Sequence, residues 1–190
     1  MPTCVIVAGT YRSGTSLLAR FLHESGCDMN PVNNEVSAWN PTGSYKEATI
    51  DTPSFSGWDN YFQKRNVGVW GIKSHNFMFN PLLFGSFMDS CPSERKVLVF
   101  TKRDEVSAGK SFKALRDDIS LEEAMHIIWK QTFTIQAIYD SWPPEDRIEI
   151  EFPSTAFDPE SQLKSVADLI GLNFNKEAMA HISADIPRWG

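Results

Sequence analysis

The first apolar positions of the chain fall in an unbroken run from Thr3 to Ala8 (Thr-Cys-Val-Ile-Val-Ala) that stops at Gly9. A short β-branched run without polar alternation is the pattern of a strand buried on both faces. Ser13 to His23 then carry Leu17, Leu18, Phe21 and Leu22 at helical spacing, until Gly26. The pattern therefore changes from strand to helix across a glycine loop. Val67 to Lys73, Lys96 to Thr101 and Arg147 to Phe152 are three further strand candidates, with helical stretches between them. The best defined helix begins at Ser120, whose hydroxyl can cap the first turn while Glu123 reaches back to close a capping box. Leu121, Met125, Ile128, Thr132, Ile135 and Tyr139 follow on one stripe, and Pro143-Pro144 ends it. A last helix runs from about Ser161 to Ile170 and is closed by Gly171. Between the first helix and the second strand, Cys27 to Tyr45 is rich in Asn, Pro, Ser and Gly. A polar loop of that length is more often functional than idle.

Strands alternating with helices imply βαβ units. The fold class expected is α/β, with three layers and a central mostly parallel sheet flanked by helices. Ligands of such sheets bind at the carboxyl ends of the strands. The 190 residues hold no repeat and no linker that would separate two units, so residues 1–190 read as a single domain. Hydrophobic residues make up 42% of the chain and aromatics 12%, enough for one core and too many for a disordered segment.

Charge narrows the partners. Lys and Arg number 18 against 24 Asp and Glu, a formal net charge of −6. Nucleic acids and anionic membrane surfaces need a broad positive face, so neither is an expected partner and any anion site must be local. The run Cys4 to Ala8 is far too short to span a membrane and no basic segment precedes it, which predicts a soluble, cytoplasmic protein. Cys4, Cys27 and Cys91 form no C-x-x-C pair. They read as reduced packing residues, in neither a disulfide framework nor a zinc site.

Gly9-Thr10-Tyr11-Arg12-Ser13-Gly14-Thr15-Ser16 follows a strand and opens a helix. Backbone N–H groups and a positive helix end converge there, which suits a phosphate and makes the expected fold P-loop-like. The spacing is that of G-x-x-x-x-G-K-[ST], with Thr15 in place of the lysine. A kinase or ATPase uses that lysine on the phosphates and a strand-end acid on Mg²⁺. Here the strand through Val97 to Thr101 ends in Lys102-Arg103, the wrong sign for a metal. The two glycines could also simply make a tight turn that holds no ligand.

Thr10 to Ser16 resembles the 5′-phosphosulfate loop of the sulfotransferases that use 3′-phosphoadenosine 5′-phosphosulfate (PAPS). The resemblance implies that Tyr11, Arg12, Ser13, Gly14, Thr15 and Ser16 cradle the 5′-phosphate. Trp70-Gly71-Ile72-Lys73-Ser74-His75 is similar to the family's Lys-Thr-His segment, which implies Lys73 on the sulfuryl group and His75 as general base. A neutral imidazole suits that task near neutral pH. Many bacterial relatives of the family have no histidine there, so Glu35 and Glu47 are alternative bases. His23, His126 and His181 read as structural.

Seven basic residues lie between Arg95 and Arg116, against Asp104 and Glu105 alone. Such a run is either a solvated face or a phosphate grip. Val97 to Asp104 followed by Ser111 looks like the family's 3′-phosphate segment, implying Arg103 and Ser111 on that phosphate, with Glu105 in place of the usual proline. An Arg fork matches phosphate geometry. Ile148 to Pro159 and the helix after it resemble the family's last strand and its Asp-Pro-Glu ending. Phe152 there could stack on adenine or belong to the core.

The reading is a PAPS-dependent sulfotransferase acting on a small-molecule or glycan acceptor, with 3′-phosphoadenosine 5′-phosphate (PAP) as product and no metal required. Arg12 and Lys73 would stabilise charge on the bridging oxygen. Candidate acceptor-site residues are the Cys27 to Tyr45 loop and the aromatic residues Trp39, Trp58, Tyr61, Phe62, Phe77 and Phe79, any of which could equally belong to the core. A small-molecule kinase using Mg-ATP and a non-catalytic nucleotide-binding module are the alternatives. Neither the acceptor nor the oligomeric state is written in the sequence.

Overall fold

The computed structural model describes residues 2–29, 57–63, 65, 68–73, 79–151 and 158–185. His75, Phe152, Glu35, Glu47, Trp39, Phe77 and most of the Cys27 to Tyr45 loop lie outside the described residues.

Four strands form one sheet: β1 (Thr3–Gly9), β2 (Val69–Lys73), β3 (Arg95–Lys102) and β4 (Arg147–Glu151). Their order is β2-β1-β3-β4, and every described pairing is parallel. The expected central sheet is therefore present, and parallel throughout its described strands. Its seven helices among the described residues are α1 (Thr15–Glu24), α2 (Trp58–Gln63), α3 (Pro81–Ser90), α4 (Glu105–Lys113), α5 (Leu121–Ser141), α6 (Pro159–Ile170) and α7 (Lys176–Asp185).

Alternate strand residues feed two cores, as the period of two requires. Val5, Val7, Val97, Val99 and Ile150 pack with Leu17, Phe21 and Leu22 of α1, Leu163, Val166 and Ile170 of α6, and Met179 of α7. Cys4, Ile6, Trp70, Ile72, Leu98 and Phe100 face the other way, against Trp58 and Phe62 of α2, Phe87 of α3 and Ile135 of α5. A sheet covered on both faces explains the near-continuous apolar runs of β1 and β3. It is the three-layer architecture expected from the sequence.

Three details depart from the expectation. The first helix starts at Thr15, not Ser13, because Ser13 is drawn inward: its hydroxyl donates to the Thr10 carbonyl at 2.9 Å and lies 2.8 Å from Thr101 Oγ1. On α5 the Ser120–Glu123 capping box forms as read. The buried stripe, however, is Ala124, Ile128, Gln131 and Ile135, and Leu121 is exposed. The reason is tertiary, since α4 presses Ala108 and Phe112 against Ala124 and Ile128. Finally, α7 was not anticipated. Asn175 accepts from the Ala178 N–H at 3.1 Å and donates through its side chain to the Glu24 carbonyl at 2.7 Å, so one residue both caps α7 and ties it to α1.

The strand order positions the site. From β1 the chain passes to β2 on one side, and from β2 it crosses to β3 on the other side of β1. The carboxyl ends of β1 and β3, where Gly9 pairs with Thr101, are thus the topological switch point where open α/β sheets bind ligands. Gly9 is required there: a Cβ would lie 2.1 Å from Thr101 Oγ1 and 2.5 Å from Ser13 Oγ.

Candidate active site at the strand ends

The loop from Thr10 to Gly14 joins β1 to α1 and is braced on its inner side. Besides the Ser13 contacts, Thr101 Oγ1 donates to the Ala8 carbonyl at 3.2 Å, and the Tyr11 N–H donates to Gln131 Oε1 at 3.1 Å. Two residues adopt left-handed backbone: Gly14 at φ 90° and Arg12 at φ 67°. Gly14 does so without cost, whereas an arginine there is strained by roughly 1–2 kcal/mol and persists only when its surroundings fix it. Strain of this kind gathers at ligand sites.

The helix that follows has a bare N-terminus. Helices α3, α4, α5 and α6 are capped by the side chains of Asn80, Asp104, Ser120 and Asp158. Helix α1 has Gly14 at its N-cap and no side-chain cap. A helix end of this kind, positive and without a side-chain cap, favours an anion.

Cations surround that end. Lys73, the last residue of β2 and 3% exposed, donates from Nζ to Ser16 Oγ in the first turn of α1 at 2.8 Å. Arg12 Nε donates to Ser111 Oγ on α4 at 3.0 Å, and Arg103 donates through one guanidinium nitrogen to the Arg12 carbonyl at 3.1 Å. Residues 91 positions apart thus come together. Burial pushes both arginines below their ordinary range, and for Arg12 the neighbouring charge of Arg103 adds to the effect. Both remain guanidinium cations at any ordinary pH. Two like charges held side by side and partly desolvated favour an anion between them.

The other basic residues of the Arg95 to Arg116 run are used differently. Arg95 pairs with Asp146 at 2.6 Å, Lys102 with Glu149 at 3.5 Å and Arg116 with Asp118 at 2.8 Å, while Lys96 donates to the Ser93 carbonyl. Arg95, Lys102 and Arg116 are thus taken up in ion pairs, whereas Arg103 reaches the Arg12 carbonyl.

Of the expected site residues, the structure brings Arg12, Ser16, Lys73, Arg103 and Ser111 to one place. Ser13 and Thr15 are there as well, but buried and turned to the inner side: Thr15 packs against Gly9. Tyr11 points away from α1 and stacks on Phe112, centroids 4.7 Å apart and planes 2° from parallel. Behind it lies a cavity of about 550 Å³ lined by Tyr11, Phe79, Phe112, Arg116, His126, Ile127, Lys130, Gln131 and Thr134. Among the expected acceptor residues, Phe79 lines this cavity. Trp58 and Phe62 do not: they are stacked on each other inside the second core, against Phe87 and Trp70. The sequence singles out neither Phe112 of α4 nor the α5 residues Ile127, Lys130, Gln131 and Thr134 that line this cavity. His126, expected to be structural, is exposed on the cavity wall.

A phosphate-type loop with a strained arginine and no side-chain cap thus lies at the switch point of the parallel sheet of an α/β fold, with Lys73, Arg12 and Arg103 around it. No protein-family model and no curated protein sequence matches the chain. Solved structures do. The sulfotransferase domain of the Synechococcus PCC 7002 olefin synthase superposes with a TM-score of 0.64 at 16% identity, over 94% of this chain and 76% of that one. A sulfotransferase from Alicyclobacillus acidocaldarius gives 0.63 at 17% identity, over 97% and 93%. A mouse sulfotransferase solved in complex with PAP gives 0.54 at 13%, over 97% and 64%. The chain has the sulfotransferase fold.

Proposed function

We propose that this protein is a sulfotransferase that moves a sulfuryl group from PAPS to a hydroxyl or amine of an acceptor. The observation that carries the proposal is the convergence of Lys73, Arg12 and Arg103 on the uncapped end of α1, with the hydroxyls of Ser16 and Ser111 between them. The α1 N–H groups and Ser16 would take the 5′-phosphosulfate. Arg103 and Ser111 would take the 3′-phosphate, and Phe152 the adenine face.

In the reaction the acceptor oxygen or nitrogen forms a bond to sulfur while the bond from sulfur to the bridging oxygen breaks. The electron pair leaves with the 5′-phosphate, and the acceptor's proton passes to a base. His75, two positions beyond Lys73, is the base in this proposal. Lys73 and Arg12 would stabilise charge growing on the bridging oxygen, a task for fixed charges in a partly dry site. A sulfuryl group carries less negative charge than a phosphoryl group, so side-chain cations can serve where a kinase uses Mg²⁺.

The contact between Lys73 and Ser16 also speaks against the kinase reading. In a P-loop kinase the hydroxyl at the position of Ser16 binds Mg²⁺. Here an ammonium sits 2.8 Å from that hydroxyl and would repel a divalent cation. A His75→Ala variant tests the proposal against the non-catalytic module. The expected result is retained PAP affinity with sulfuryl transfer lowered about a hundredfold or more. Transfer at the wild-type rate would overturn the assignment of the base.

A further inference from the structure

The cavity behind Tyr11 has a chemistry of its own. One wall is aromatic and apolar: Tyr11 stacked on Phe112, with Phe79 and Ile127 beside them. Gln131, buried at 8% exposure, accepts the Tyr11 N–H through Oε1, which fixes its amide and leaves Nε2 as a donor group. The rim is basic. Arg116, Lys130 and His126 line it, and none of the described lining residues is acidic. Asp118 neutralises part of this charge by accepting from Arg116 Nε and a terminal nitrogen, both at 2.8 Å. Lys130 stands one position before Gln131 on α5 and its side chain is exposed. In a protein of net charge −6, a cavity of small-molecule size with basic groups alone among its described ionisable side chains other than Tyr11 is a local selection for negative charge.

We infer that this cavity is the acceptor site and that the acceptor is a hydroxyl-bearing aromatic carboxylic acid. Its ring lies against Tyr11 and Phe112, its carboxylate is held at the Lys130 and Arg116 rim, and its hydroxyl is directed to the loop that Tyr11 belongs to. This rests on the sulfotransferase reading. The transferred sulfuryl group would leave as an aryl or alkyl sulfate ester on that acid, PAPS would be converted to PAP, and the hydroxyl proton would go to the base. Size alone would admit neutral phenols. The charge of the rim distinguishes the acid from them.

The test is calorimetric binding of 4-hydroxyphenylacetate and of its methyl ester to the full chain saturated with PAP. The acid should bind about fivefold more tightly than the ester, or better, as a partly exposed ion pair allows. Lys130→Glu should abolish that preference or reverse it while leaving PAP affinity unchanged. Because Lys130 is exposed, the variant should fold. A Phe112→Leu variant should weaken acid and ester alike. Equal affinity for acid and ester, a preference untouched by Lys130→Glu, or no binding of either compound to the PAP complex would overturn the inference. Failure of PAP itself to bind would instead overturn the sulfotransferase reading beneath it.

Discussion

Lys73 and Ser16 are 57 positions apart in sequence, yet the lysine's ammonium donates to the serine's hydroxyl at 2.8 Å. The contact fastens the end of β2 to the first turn of α1. It places a nearly buried positive charge where a phosphate loop of the ATP-using kind would hold a metal ion.

Replacing that charge by an uncharged, unbranched side chain of similar length should separate catalysis from binding. In a Lys73→Met variant, sulfuryl exchange between an aryl sulfate and PAP should fall about a hundredfold or more. Affinity for PAP, which lacks the sulfuryl group, should change by less than about tenfold. The two are read by absorbance of the released phenol and by calorimetry. A variant that keeps its exchange rate would remove Lys73 from the chemistry.

Arg12 is held at φ 67° beside a second arginine, and both features cost stability in the free protein. Arg12→Gly removes the strain and the repulsion, at the loss of the hydrogen bond to Ser111 and with a more flexible unfolded chain. The thermal midpoint should therefore stay level or rise, while PAP affinity falls about tenfold or more. A midpoint several degrees lower with affinity intact would mean that Arg12 is a structural residue.

The buried thiols predict a pH effect. Cys91 is drawn down from 9.0 to about 7, first by a hydrogen bond from the Cys4 thiol and then, against the cost of burial, by Ser93 and Lys96. Cys4, fully buried, is pushed well above 9.0 and stays a thiol in this range. A group whose folded pKa lies below its unfolded one adds stability as it ionises. The Cys91 contribution is therefore absent below pH about 7, grows toward pH 9.0 and is complete above it. Urea midpoints should rise across that window more steeply in the wild type than in Cys4→Ala, which lacks the donor. Identical slopes would show that the thiols do not interact.

Local signals carried the elements of the fold. The Ser120 to Glu123 box, the αL glycine at Gly171 and the apolar runs of β1 and β3 are decided within a few residues, and the structure agrees with the sequence there. What the pattern left open was decided across the sheet. Thr132 and Gln131 are neighbours on α5, and only the packing of α4 and the Tyr11 N–H makes Gln131 the buried one. The site shows the same division. Resemblance to the sulfotransferases pointed to Arg12, Lys73, Arg103 and Ser111 one by one, but not to the bridge from Arg12 to Ser111 over 99 positions. The cavity on α4 and α5 carried no motif.

As proposed, Lys73, Arg12 and Arg103 form a metal-independent site for a 3′-phosphorylated nucleotide. The most direct measurement is calorimetric binding of PAP to the full chain with and without a chelator, beside ATP with and without Mg²⁺. PAP should bind with micromolar affinity, indifferent to the chelator, tighter than ATP in either form and about tenfold or more weaker in Arg103→Ala. Preferential binding of Mg-ATP, or PAP binding that needs a divalent metal, would contradict that proposal.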